Sequence, residues 1–211
     1  MNHADGDKNR PRLDDPVSYY RTRASIFERL NSPDPSNRET AWQEFFSRYR
    51  PVIAGFAKRC GANQQDIDDI VQDVTTSFLS VSREFTYNPA KGRFRGWLKT
   101  CTVRATIRRS AKAMKFQGVS LEGREDIEPV FDPIWEDVWE QKLVGIALNH
   151  LRQNSGDGLT FRAFERYVLL DRPAQDVAKE LGTTVENVYQ AKTRMTKRLR
   201  DLVGQLREAD D

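Results

Sequence analysis

Arg172-Pro-Ala-Gln-Asp-Val-Ala-Lys-Glu-Leu-Gly182, followed at once by Thr183-Thr-Val-Glu-Asn-Val-Tyr-Gln-Ala-Lys-Thr-Arg194, reads as a short helix, a tight turn and a second helix. Pro173 suits a first helical turn, where its missing N–H is not needed. Val177, Ala178 and Leu181 give the first helix a small apolar face. Gly182 can take the left-handed conformation that ends it. Thr183-x-x-Glu186 reads as a capping box that starts the next helix. Val185, Val188, Ala191, Met195, Leu199 and Leu202 recur at three and four and predict an inward face. The other face carries Glu186, Asn187, Gln190, Thr193, Arg194 and Lys197. A helix-turn-helix over Arg172–Val203 with polar N-terminal positions on its second helix is what reading a major groove requires. Asn and Gln can pair with adenine and Arg with guanine, while Lys and Thr hold phosphates. Alone, the motif also fits an ordinary helical hairpin with a solvated face.

Outward from this motif the pattern stays helical. The fold class expected is all-α: two small helical domains joined by an acidic flexible linker, the second ending in the helix-turn-helix. Residues 1–16 are polar, without periodicity, and read as disordered. The first domain spans 17–116. Its helices are expected near Val17–Leu30, Arg38–Cys60 (kinked or broken at Pro51), Gln64–Phe85 and Phe94–Lys115. Ile67, Ile70, Val71, Val74, Phe78 and Val81 mark the inner face of the third. A loop, Thr86–Gly92, precedes the fourth. Residues 117–134 read as the linker. The second domain, 135–206, starts with helices near Trp135–Arg152 and Leu159–Leu170. No alternating strand pattern occurs.

Charge is arranged in blocks. The 211 residues carry a net charge of only +3, yet Lys91–Lys115 holds nine basic residues and no acidic one. Glu122–Glu140 holds eight acids and one base, and Lys192–Arg200 five bases and no acid. Basic groups beside Phe85, Tyr87, Phe94 and Trp97 suit phosphate neutralisation and base stacking, although Phe94 and Trp97 could equally be core. The third helix carries Asp66, Asp68, Asp69 and Asp73, with no base between Cys60 and Ser82. Asp66 suits a helix N-terminus. The acid-rich and basic helices suggest one face for a protein partner and another for nucleic acid. Cys60 and Cys101 form no CxxC pair, and the chain has two histidines, so no metal or cofactor is expected. No apolar run reaches a membrane span and the start lacks a signal-peptide core, so no membrane insertion and a cytoplasmic location are expected.

Ala41-Trp-Gln-Glu-Phe45 with Tyr49-Arg-Pro51, then Asp66-Ile-Asp-Asp-Ile-Val-Gln-Asp-Val74, then Phe85 and Gly92-Arg-Phe-Arg-Gly-Trp-Leu-Lys-Thr100, resembles the helical domain of bacterial sigma factors. The compact two-domain form points to the extracytoplasmic-function (ECF) class. The resemblance implies a non-enzymatic transcription-initiation protein, cytoplasmic in a bacterium. It would bind core RNA polymerase through the β′ clamp helices and the β flap, recognise promoter DNA and, in some members, meet an anti-sigma factor. It implies that Asp66, Asp69, Gln72 and Asp73, with Ile70 behind them, bind core polymerase. Arg93, Phe94, Arg95, Trp97, Lys99, Thr100, Arg104 and Arg108 would hold the melted −10 strand. Thr183, Thr184, Glu186, Asn187, Gln190, Thr193, Arg194 and Lys197 would read the −35 element. The chain departs from the family in having Val103-Arg104 where many members have Arg-Asn, and Arg108 where many have an acid. Two other functions compete: a stand-alone helix-turn-helix regulator of duplex operators, and a nucleic-acid enzyme with an acidic metal site.

Overall fold

A computed structural model describes residues 23–82, 94–116, 128–155 and 158–210. The expected disordered start, the loop Thr86–Gly92, Arg93 and the linker residues 117–127 lie outside them. In chain order the α-helices are α1 (Arg23–Leu30), α2 (Pro35–Arg59), α3 (Gln64–Ser82), α4 (Phe94–Phe116), α5 (Asp132–Gln153), α6 (Leu159–Phe164), α7 (Ala174–Leu181) and α8 (Val185–Asp210). A 3-10 turn, Glu128–Phe131, precedes α5, and a π turn, Glu165–Leu169, follows α6. No strand occurs among the described residues, and the fold is all-α. Contacts divide the chain into two compact units, Arg23–Lys142 and the residues from Leu143 onward.

The first unit is built on local signals that then find partners. Pro35 sits in the first turn of α2, where it lacks only an N–H that would have no helical acceptor. The Asp34 carboxylate before it accepts from the Ser36 N–H at 2.9 Å. The Asn63 side chain caps α3 in the same way, accepting from the Asp66 N–H at 2.8 Å. Gly61, at φ +85°, makes the turn between α2 and α3. Of the kink or break expected at Pro51, no break occurs; α2 runs through it. Tyr49, Val52 and Ile53 are buried on either side of it, so core packing holds the two halves in one helix. Ile67, Ile70, Val71, Val74 and Phe78, expected on the inner face of α3, are buried; the Val81 side chain lies outside those described.

The core of this unit is aromatic. Phe45 of α2 stacks on Phe78 of α3 with ring centroids 3.8 Å apart. Phe94, the first residue of α4, meets both edge-on, at 5.9 and 5.7 Å, and Tyr49 at 5.1 Å. Three helices are thus tied at one cluster. A second cluster joins Phe56 of α2 to Phe131 and Trp135 at 6.0 and 5.7 Å. Phe131, Trp135 and Trp139 are all buried. The boundary between the units therefore falls between Lys142 and Leu143, inside α5, rather than at Trp135. The indole faces of α5 need apolar cover, and α2 supplies it. Residues 128–134, read as linker, are the 3-10 turn and the start of this helix.

In the second unit, Leu151, Phe161, Phe164 and Met195 form one core cluster; Ala163, Ala174, Val177, Ala178, Val188 and Ala191 form another. The expected helix over Leu159–Leu170 widens into the π turn, where the Leu170 N–H donates to the Glu165 carbonyl. Gly182 ends α7 in the left-handed conformation, φ +63°, as expected. Pro173 is the residue before α7 rather than inside its first turn. In place of the expected capping box the helix has a single side-chain cap, one residue later. Thr184, not Thr183, accepts from the Asn187 N–H at 3.2 Å, because Thr183 still belongs to the turn. Of the inward face expected on α8, Val188, Ala191 and Met195 are buried and Val185, Leu199 and Leu202 half-buried.

Phe78→Ala removes the ring shared by α2, α3 and α4 and is expected to cost about 3–5 kcal/mol of unfolding free energy. Urea denaturation checks this; a loss below about 1 kcal/mol would mean that the aromatic cluster does not hold the unit together.

Candidate nucleic-acid interface

Helix α4 presents its basic residues on two flanks, and its buried positions explain why. Phe94, Leu98, Thr102, Ala105 and Thr106 recur at helical spacing and face the core. The buried hydroxyls of Thr102 and Thr106 donate to the carbonyls of Leu98 and Thr102, at 2.7 and 2.8 Å, so neither is left unsatisfied. Arg95 and Lys99 lie to one side of this face, and Arg108 and Arg109 extend from the other end of the helix. Arg104 is exposed.

Phe94, expected to stack on bases, is 1% exposed and belongs to the core. Its place at the start of a basic helix resembled a base-stacking position, but its ring is spent on Phe45, Phe78 and Tyr49. Trp97 is half-buried and packs on Phe78 and Phe94, at 5.8 and 5.6 Å. Thr100 is half-buried.

Arg95 pairs with Glu136, its guanidinium 4.8 Å from the Trp139 ring. Lys99 pairs with Asp132 at 2.5 Å, and Arg59 of α2 pairs with Asp137. The basic side chains expected to meet nucleic acid are here held by carboxylates at the start of α5. At the far end of α4, Arg109 donates to Asp73 at 3.0 Å and to Asp69 at 2.7 Å, and Arg108 donates to Asp73 at 3.2 Å. Asp68 pairs instead with Arg50 at 3.3 Å. Ile70 is fully buried behind the acids, and Gln72 is exposed beside them.

Asp69 and Asp73 thus face Arg108 and Arg109, so the acids of α3 and the bases at the far end of α4 meet along one contact. The acids of α3 meet arginines, not further carboxylates, which is the opposite of a metal-binding arrangement. Among the described residues no group of three potential metal ligands converges. Arg59, Arg109, Asp132, Glu136 and Asp137 were absent from the expected site. For Arg109 the signal in the sequence is a helix without bases beside a helix without acids; for Asp132, Glu136 and Asp137 it is the acidic run that follows the basic block.

Hydrogen bonds from Arg109 hold the Asp73 carboxyl below its ordinary range, outweighing the partial burial that pushes it up, and Arg108 adds to the lowering. The same bonds push the Arg109 guanidinium up. Burial pushes the Cys60 thiol up to about 12, which leaves it neutral and unreactive at physiological pH.

In the second unit, Thr183, Asn187, Gln190 and Arg194 line a groove of ≈ 210 Å³ with Thr160 of α6. Four of the eight residues expected to read duplex DNA are thus brought to one concavity. The Asn187 side-chain amide donates to the Thr183 hydroxyl at 3.0 Å, and Gln190 donates to Glu186 at 3.5 Å. Thr184 spends its hydroxyl as the helix cap, and the Thr193 hydroxyl donates to the Tyr189 carbonyl at 3.2 Å. Lys197 is exposed on the same helix.

Residues 45–116, from the middle of α2 through α4, match the family model of Sigma-70 region 2. Neither a curated protein nor a solved structure matches the chain.

Because the Asp73 carboxyl titrates below its unfolded value, its contribution to stability is present above the ordinary carboxylate range. It is lost as pH falls through the lowered value. Asp73→Asn should lower stability at neutral pH and make the acid limb of the stability profile shallower. Thermal unfolding across that pH range measures both; parallel profiles for the two proteins would remove the α3–α4 ion pairs from the account.

Proposed function

From the match of residues 45–116 to Sigma-70 region 2, we propose that the chain is a sigma factor of the ECF class. It binds core RNA polymerase, directs it to particular promoters and helps melt the −10 element. It performs no catalysis of its own and works in the cytoplasm of a bacterium. The observation that carries this reading is the region 2 match, joined to a second unit whose Thr183, Asn187, Gln190 and Arg194 share one groove.

In this reading the exposed edge of α3, with Asp66, Asp69, Gln72 and Asp73, docks on the β′ clamp helices, and the buried Ile70 keeps that edge in register. Trp97, Thr100, Arg104 and Arg108, with Arg95 and Lys99 once released and Arg93 ahead of α4, line the path of the melted strand. Stacked, flipped bases offset the few kcal/mol or so that unpairing costs. Thr183, Asn187, Gln190 and Arg194 approach base edges of the upstream element, where a bidentate pair discriminates by about 1–3 kcal/mol. Thr184, Glu186, Thr193 and Lys197 border that surface, and the second unit also meets the β flap. A bare helix-turn-helix regulator would leave region 2 without a task.

The deciding experiment mixes the purified chain with bacterial core polymerase and measures complex formation and run-off transcription from promoter fragments. A stable complex with promoter-dependent transcripts is expected; no binding to core overturns the reading. Gln72→Arg tests the docking edge without disturbing the α3–α4 ion pairs, which Asp73→Arg would also break. It should weaken core association at least tenfold; unchanged association would remove α3 from the interface. Arg194→Ala should weaken duplex binding and flatten its salt dependence by about one unit of slope, measured by anisotropy at several salt concentrations.

A further inference from the structure

Three ion pairs join the first turns of α5 to its neighbours in the first unit, Arg59 of α2 to Asp137, and Arg95 and Lys99 of α4 to Glu136 and Asp132. In each, the acid is the more exposed partner. Side-chain exposure is 34% for Arg59 against 63% for Asp137, 17% for Arg95 against 63% for Glu136, and 22% for Lys99 against 48% for Asp132.

The register is regular. Arg95 and Lys99 are four apart on α4, and Asp132 and Glu136 are four apart on α5. Lys99 meets Asp132 and Arg95 meets Glu136, so the two helices run antiparallel along the contact. Carboxylates one helical turn apart, roughly 5–6 Å between Cβ atoms, present negative charge at a spacing of the order of that between successive phosphates. Dipole stabilisation at a helix N-terminus accounts for Asp132, but it fades beyond the first turn and does not account for Glu136 and Asp137.

The carboxylates are seated by packing that ion pairs alone would not supply. Trp135 and Trp139 are buried below them, with centroids 5.7 Å apart, and Lys142 lies 4.3 Å from the Trp139 ring and 4.5 Å from the Tyr49 ring. A Cβ at Gly55 of α2 would come within 3.3 Å of Val138, so the backbone of α2 approaches α5 closely here.

We propose that Arg59, Arg95 and Lys99 form a phosphate-binding site for a single DNA strand, held closed in the free protein by Asp132, Glu136 and Asp137 standing in for the phosphates. This deepens the sigma-factor reading and rests on it. Arg59 joins the −10 path as a phosphate contact, and the start of α5 acts as an intramolecular competitor. Exposed ion pairs are individually weak, so a strand that supplies several phosphates at once can displace the carboxylates. The lone chain therefore binds single strands poorly, and binding improves wherever the carboxylates are drawn away.

The test uses the full chain without polymerase and a short fluorescein-labelled single-stranded oligonucleotide, followed by anisotropy at several salt concentrations. The triple variant Asp132→Asn, Glu136→Gln, Asp137→Asn keeps side-chain size and the tryptophan packing. It should bind roughly tenfold more tightly than the natural chain, with a steeper salt slope. Adding Arg59→Gln, Arg95→Gln and Lys99→Gln to that variant should cancel the gain. Neutralising three exposed acids elsewhere, Glu28, Glu39 and Asp201, changes net charge equally and should move affinity by less than about twofold. Circular dichroism and urea midpoints check the fold, and Glu136→Gln alone serves if the triple variant unfolds. Unchanged affinity of a folded variant, a gain that survives loss of the three bases, or an equal gain from the distant acids overturns the proposal. None of these outcomes depends on polymerase. A chain that transcribes with core yet shows no such gain refutes the masked site alone; failure to bind core refutes the sigma-factor reading instead.

Discussion

Burial of Phe94 sets the orientation of α4, and both candidate surfaces of the first unit follow from it. The ring closes a cluster with Phe45, Phe78 and Tyr49, in which edge-to-face contacts add about 0.5–1.5 kcal/mol per pair to the area buried. Once the first residue of α4 is pinned, Leu98, Thr102, Ala105 and Thr106 must follow it inward, because each lies three or four residues further on. The basic residues are left to the two sides of that stripe. One side turns Arg95 and Lys99 toward the start of α5. The other brings Arg108 and Arg109 over Asp69 and Asp73.

Each basic flank is thus met by carboxylates of the same chain. Solvent-accessible ion pairs of this kind hold geometry more than they add stability, and salt screens them. Under the proposed function, a polymerase that engaged Asp73, or a DNA strand that engaged Arg108, would compete for a partner already present. Linkage makes such competition reciprocal, so that engagement of one side of the pair eases engagement of the other.

The second unit relies on a different device. Gly182 in the left-handed conformation and the Thr184 cap fix where α8 begins, and that start decides which side chains share a face. Thr183, Asn187, Gln190 and Arg194 then fall on the groove beside α6, while Val188, Ala191 and Met195 fall inside. A start one residue earlier would assign the cap to a residue that the structure shows within the turn.

The sequence by itself determined the helical class, the inner face of α3, the glycine stop at Gly182 and the inner face of α8. Each rests on periodicity or on one residue's backbone preference, both local properties. The region 2 segment was legible for a related reason, as acid-rich and basic-aromatic strings stand out without any knowledge of packing. Only the tertiary structure decided that Pro51 leaves α2 intact, that Phe94 is core, that α5 starts within the first unit, and that Asp69, Asp73, Arg95, Lys99 and Arg108 have partners within the chain. Those outcomes depend on residues far apart in sequence. A helix that packing holds on both sides of a proline need not break, and a charge shows the partner it meets only once the chain has brought the two together.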